Sequence, residues 1–121
     1  MQTLGRLPNL RILKVHRDAF TGKEMACSAQ SFAKLDFLSI YRLHNLEEWK
    51  VDEGAMPALR HLEIFECKNL KMLPNGLRFI TNLRKLEIGW MPKAFKDKLV
   101  EGGEDFYRVQ HIPSIVLENC E

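Results

Sequence analysis

No stretch of this chain approaches the ~20 consecutive apolar residues that a membrane-spanning helix needs, so no membrane span is expected. The opening Met1-Gln-Thr-Leu-Gly-Arg6 lacks the basic head, long apolar middle and small-residue cleavage site of a secretory signal. Charge of one sign is also missing. Eighteen Lys and Arg stand against sixteen Asp and Glu, and a net charge of +2 exerts little pull on nucleic acid or an anionic surface. The first fifty residues hold eight basic against five acidic side chains and the remainder ten against eleven, which reads as solvated surface. Cysteine is scarce and odd in number: Cys27, Cys67 and Cys120 cannot all pair within one chain. No Asn begins an Asn-x-Ser/Thr acceptor. Together these absences point to a reducing, cytoplasmic setting. Forty-five per cent apolar and 28% charged residues over 121 positions suit one domain with a modest core.

The signatures of catalysis are missing too. There is no Gly-x-Ser-x-Gly elbow, no Gly-rich phosphate loop and no His-Glu-x-x-His. A zinc site wants Cys or His paired at short spacing, and the cysteines here lie 40 and 53 residues apart, so no metal is expected. His61 and Cys67 are close in sequence, but the strand pattern below sends them to opposite sides. Glu101, Glu104 and Asp105 share a Gly-containing loop and read as a solvated acidic turn rather than an acid/base pair. The chain is read as a non-enzyme that uses no cofactor.

What the chain has in quantity is leucine at a fixed rhythm. From Met56 to Ile88, apolar residues recur every third position at Leu59, Leu62, Leu70, Leu73, Leu77, Ile80, Leu83 and Leu86, broken by an apolar-x-apolar step at Leu62/Ile64. The step returns at Leu86/Ile88, 24 residues later. A helix does not hold a strict spacing of three, and a strand wants two. The mixture is that of a leucine-rich repeat, one short strand per coil followed by a turn or short helical segment across the back. The frame extends over the whole chain. Leu4, Leu7, Leu10, Leu13 and Val15 form a first pass. Phe32, Leu35, Leu38, Ile40, Leu43, Leu46 and Trp49 form a second, and Val109, Ile112, Ile115 and Leu117 a fifth. The strand steps at Leu13, Leu38, Leu62, Leu86 and Ile115 are separated by 25, 24, 24 and 29 residues, and of seventeen leucines only Leu99 lies off the frame. The expected fold is therefore α/β: a leucine-rich-repeat solenoid with a short parallel β-sheet of about five strands and an irregular or short-helical convex side. One domain covers residues 1–121, truncated on its N-terminal side, with an insertion helix near 92–100 and a C-terminal repeat at 109–121. An uncapped first coil predicts poor solubility or self-association of the isolated chain.

Smaller signals follow from the frame. Pro74-Asn-Gly76 and Asp52-Glu-Gly-Ala55 mark turns. The segment from Arg17 to Ser31 is less regular, with Thr21-Gly-Lys23 as a turn and Phe20, Met25 and Ala29 available to pack on the back. Cys67 and Cys120 occupy one frame position, shared with Asp18, Leu43 and Met91, where a small buried side chain leaves the strand.

Alternation along each strand sends His61, Glu63 and Phe65 outward. In register, the outward rows are Ile12, Phe37, His61, Lys85, Ser114; Lys14, Ser39, Glu63, Glu87, Val116; His16, Tyr41, Phe65, Gly89, Glu118; and, at the strand exit, Arg17, Arg42, Glu66, Trp90, Asn119. Phe37, Tyr41, His61, Phe65 and Trp90 thus gather on the central coils of the concave face. Exposed aromatics among charges are the composition of a protein-binding surface.

The segment Gly54-Ala-Met-Pro-Ala-Leu-Arg-His-Leu-Glu-Ile-Phe-Glu-Cys67-Lys-Asn-Leu-Lys-Met-Leu-Pro-Asn-Gly-Leu77 resembles the late repeats of plant nucleotide-binding leucine-rich-repeat disease resistance proteins of the coiled-coil class. Trp90-Met-Pro-Lys-Ala-Phe-Lys96 and the tail Gly102-Gly-Glu-Asp-Phe-Tyr-Arg-Val-Gln-His-Ile-Pro-Ser-Ile115 are similar to the ending of that class. The resemblance implies a recognition module of a cytoplasmic innate immune receptor. It would contact pathogen effectors, guarded host proteins or the receptor's own nucleotide-binding domain, and would hold that domain inactive. The nucleotide-binding domain itself is absent from these residues. The alternative is a substrate-recognition repeat array of a ubiquitin-ligase adaptor, which would need an adaptor-binding helical motif not seen here. An extracellular ectodomain would carry Leu-x-Gly-x-Ile-Pro repeats, glycosylation sites and paired cap cysteines, and none occurs.

Overall fold

A computed structural model describes residues 10–16, 22–29, 31–100 and 102–119. Leu4, Leu7, Arg17, Asp18, Phe20, Thr21, Glu101 and Cys120, which carried parts of the sequence reading, lie outside the described residues.

The apolar-x-apolar steps become strands β1 Ile12–His16, β3 Phe37–Tyr41, β5 His61–Phe65, β6 Lys85–Gly89 and β7 Ser114–Glu118. Among the described residues, β2 Glu24–Cys27, β4 Glu48–Val51, the α-helix α1 Lys93–Asp97 and 3-10 segments at Asn75–Phe79 and Phe106–Arg108 lie between them. The front sheet is wholly parallel, in the order β1-β3-β5-β6-β7. Its register stacks Leu13, Leu38, Leu62, Leu86 and Ile115 in one inward ladder. Val15, Ile40, Ile64, Ile88 and Leu117 form the second. Neighbouring strands lie about 4.8 Å apart, so each coil adds one rung to both ladders. In the three inner strands both rungs are fully buried; in β1 and β7, Leu13, Ile115 and Leu117 are only partly so. A strand with one neighbour has half the cover. Burying each leucine contributes roughly 1.5–3 kcal/mol, and stacking is the only way this chain removes those faces from water.

The coils close through the same backbone bonds each time. Leu35, Leu59, Leu83 and Ile112 N–H groups donate to Phe32, Met56, Ile80 and Val109 carbonyls at 2.9–3.2 Å as the chain enters each front strand. On leaving, Arg42, Glu66, Trp90 and Asn119 all take left-handed conformations, with φ between 51° and 56°. None is glycine, although this region costs an ordinary side chain about 1–2 kcal/mol. The exit corner is thus a repeated conformation imposed by the coil, and Arg42, Glu66 and Trp90 N–H groups donate across it to Phe65, Gly89 and Glu118 carbonyls.

The later coils carry the short helical segments anticipated on the back, and the first two are more regular. Coils one and two place β2 beside β4 in a second parallel sheet, pairing Met25 with Trp49 and Cys27 with Val51. Both strands alternate exposed and buried residues. Within the irregular stretch anticipated there, Glu24–Cys27 is therefore more regular than its sequence suggested. Four alternating residues are too few to separate a strand from a turn by periodicity. In the third coil the back becomes a 3-10 segment, Asn75–Phe79. It packs so close to β4 that a Cβ on Gly76 would sit 1.9 Å from the Val51 carbonyl oxygen.

The insertion forms α1, shorter than the 92–100 helix anticipated, with Pro92 at its N-cap. Phe95 and Leu99 are buried in the core. Asp105 corrects a second expectation. It is not a solvated acidic turn but 4% exposed, with its carboxylate 3.6 Å from Arg108. Arg108 Nη1 also donates to the Leu73 carbonyl at 2.8 Å, tying the tail to the third coil. Glu104 does remain exposed, facing Lys98 at 3.6 Å.

Candidate functional site

The outward rows of the front sheet are set by strand register. Phe37, His61 and Lys85 are direct partners, as are Ser39, Glu63 and Glu87, and Tyr41, Phe65 and Gly89. The five residues singled out from the sequence fall into two groups on this face.

Tyr41, Phe65 and Trp90 form the first, at the strand-exit side. The Tyr41 and Phe65 rings meet edge to face with centroids 6.4 Å apart. Phe65 lies over Gly89, where any Cβ would come within 2.5 Å of the ring, so the small residue makes room for the aromatic. The left-handed turn at residue 90 throws Trp90 outward, 55% exposed. These three residues, with Arg42 and Glu66, line an open pocket of about 520 Å³. Trp90 also lines a second hollow of about 310 Å³ with Lys68, Met91, Pro92 and Asn119. The Arg42 guanidinium sits 5.2 Å from the Tyr41 ring centre and pairs with Glu66 at 3.1 Å, while His44 approaches the same Glu66 oxygen at 3.5 Å. The result is an apolar floor with a charged rim.

Phe37 and His61 belong to the second group, at the strand-entry side. Their rings meet edge to face at 4.8 Å. His61 Nε2 lies 3.3 Å from Glu87 Oε2 and 3.6 Å from Glu63 Oε2. Lys85 Nζ lies 2.9 Å from the other Glu87 oxygen. The two carboxylates face one another across the strands. A hydrogen bond from Glu63, and then Lys85, hold Glu87 down to about 2. Burial, followed by the hydrogen bond to Glu87 and its like charge, pushes Glu63 up. Glu63 is thus the weaker acid of the two. Among the described residues, His61, Glu63 and Glu87 are the one set whose donor atoms converge as metal ligands do, all within 4.8 Å.

Cys67 lies elsewhere. It is fully buried behind the sheet and cannot meet His61 on the open face. Its N–H donates to Met91 Sδ at 3.2 Å, and burial pushes its thiol up to about 11, so it fills the wall of the coil and is no nucleophile. Cys27 is buried as well, with its thiol raised by burial.

Sequence reasoning placed Arg42, Glu66, Glu63, Glu87 and Lys85 in their rows without marking them as parts of a site. The signal was present. Glu63 and Glu87 are 24 residues apart at one frame position, and so are Arg42 and Glu66. Opposed side chains at the repeat spacing are neighbours in space.

A five-stranded parallel front sheet, stacked leucine ladders and an outward face of mixed aromatics and charge define a leucine-rich-repeat solenoid. The chain is 47% identical over all 121 residues to disease resistance protein RPP8 of Arabidopsis thaliana, covering 13% of that protein. It is 46% identical over the same length to disease resistance protein RPH8A and 45% identical to disease resistance RPP8-like protein 3, both of Arabidopsis thaliana and again with 13% covered. Along its whole length the chain is thus similar to a segment of Arabidopsis thaliana disease resistance proteins of the RPP8 group. It spans about an eighth of the length of these relatives. No protein-family model matches the chain, and no solved structure matches it. Among the described residues, no helix is long and apolar enough to cross a membrane.

Proposed function

We propose that this chain is a non-catalytic protein-recognition part of a plant innate immune receptor. Its open face contacts a protein partner, which is a pathogen effector, a guarded host protein or the receptor's own nucleotide-binding domain, and the last contact helps keep the receptor inactive. The reading is supported by relatives that are themselves disease resistance proteins. The observation that carries it is the pocket floored by Tyr41 and Phe65 and walled by Trp90, rimmed by Arg42 and Glu66. Tyr and Trp in a hollow with a charged rim match the make-up of binding hot spots, where a partner's apolar side chain seats and the rim sets its orientation. A cytoplasmic setting accords with the buried free thiols of Cys27 and Cys67 and with the lack of glycosylation acceptors.

The test is made in the full-length receptor that carries these residues. Tyr41→Ala with Phe65→Ala is expected to weaken co-purification of the receptor's protein partner, or to release its nucleotide-binding domain and trigger a defence response without infection. If the double variant keeps every partner and its resting state, the assignment fails.

A further inference from the structure

We propose that His61, Glu63 and Glu87 form a binding site for a divalent cation of the zinc class on the open face of the front sheet, with His61 Nε2, Glu63 Oε2 and Glu87 Oε2 as ligand atoms. The distances fit. Zinc takes nitrogen and oxygen ligands at about 2.0–2.2 Å, and a tetrahedral arrangement then sets ligand atoms about 3.4 Å apart. Here the imidazole nitrogen lies 3.3 Å and 3.6 Å from the two carboxylate oxygens, and all three donor atoms lie within 4.8 Å of one another. The donors also select the ion: imidazole with two carboxylates suits zinc and its neighbours, whereas calcium and magnesium favour all-oxygen sets.

The scaffold holds the set in place. His61 and Glu63 are two apart on β5 and so share a face, and Glu87 is the register partner of Glu63 on β6. Both strands are interior to the front sheet and hydrogen-bonded on both sides. Each ligand has a supporting neighbour. The Phe37 ring packs on His61, a Ser39 hydroxyl bonds Glu63, and Lys85 takes Glu87 Oε1, which leaves Oε2 turned to His61. Such supports orient ligands in metal sites. The one lysine balances only one of the two carboxylates, and a dication balances the pair with charge to spare. The three side chains are 28%, 23% and 22% exposed, open enough for an ion to enter from solvent. Three protein ligands leave a fourth position for water on the side away from the sheet.

The site is tested with the ion alone, so its failure leaves the recognition reading standing. The 121-residue chain, kept in solution as a fusion to a soluble carrier that binds no zinc and titrated calorimetrically with zinc chloride near neutral pH, is expected to bind one equivalent saturably. His61→Ala and Glu87→Gln are each expected to weaken that binding by at least about tenfold. Both change part-exposed side chains, and circular dichroism checks that each variant stays folded. Two readouts on the unaltered chain stand beside the variants. The ring nitrogens of His61 are expected to shift on adding zinc, and cobalt(II) in its place is expected to give the spectrum of nitrogen and oxygen ligands. Absence of saturable binding, equal affinity in both variants, a cobalt–thiolate charge-transfer band, or a shift confined to His16, His44 or His111 would overturn the proposal.

Discussion

Neighbouring residues of β5 answer to different demands. Leu62 and Ile64 are fully buried, and their positions in every front strand hold Leu, Ile or Val. His61, Glu63 and Phe65, one step away on the same backbone, are partly open, and their rows run through aromatic, basic, acidic and small residues. The inward ladders repeat because each rung must fill the same gap between coils. The outward rows are released from that demand, so what accumulates there is chemistry. A variant's effect should therefore depend on which way its side chain points more than on its place along the chain.

The largest effect expected follows from emptying a rung. Leu62→Ala leaves a cavity beneath three strands and should cost about 2–5 kcal/mol in denaturant unfolding; a loss below about 1 kcal/mol would mean that the ladder is not close-packed. Alkaline pH comes next. The unfolded Cys67 thiol ionises near 9.0, while burial holds the native one up to about 11. Below the unfolded value both states keep the proton and this stabilisation is fully present. As pH rises past it, the unfolded state ionises first, and the native state loses roughly 2–3 kcal/mol by the time the buried thiol titrates. Denaturant midpoints at mildly and strongly alkaline pH should show that extra slope in the unaltered chain and not in Cys67→Ala; equal slopes would place the thiol in contact with water.

Gly76→Ala probes the back. The added methyl meets the Val51 carbonyl oxygen, a backbone atom that cannot rotate aside, and about 1–3 kcal/mol should be lost. A neutral result would show that the Asn75–Phe79 segment is free to slide off β4. The smallest effect belongs to the open face. Tyr41→Ala removes an exposed ring and should change stability by no more than about 0.5 kcal/mol while altering partner binding. A large loss of stability there would mean that the aromatic cluster exists to hold the coils together.

The two ends of this scale were not equally legible. Every inward rung and its register could be read in advance, because Leu62/Ile64 and its copies obey one rule of size and spacing. The aromatic positions Tyr41 and Phe65 followed from the same register. The second sheet did not. Glu24-Met-Ala-Cys27 and Glu48-Trp-Lys-Val51 are too short to declare themselves, and each becomes a strand only by lying beside the other. Asp105 was misread for a related reason. An acidic residue near two glycines reads as exposed loop, and only the folded tail brings Arg108 and the third coil over it.

The sequence by itself determined the solenoid: the repeat period, the strands, the inward ladders and the rows that face outward. These depend on side-chain size and alternation, which are local properties written in every coil. The tertiary structure decided how those rows are used. Whether His61 reaches Glu87, whether Arg42 caps Tyr41 or Glu66, and whether Trp90 stands clear of the sheet depend on rotamers, left-handed corners and the small residue at Gly89. They are set between coils 24 residues apart, where no local pattern reaches.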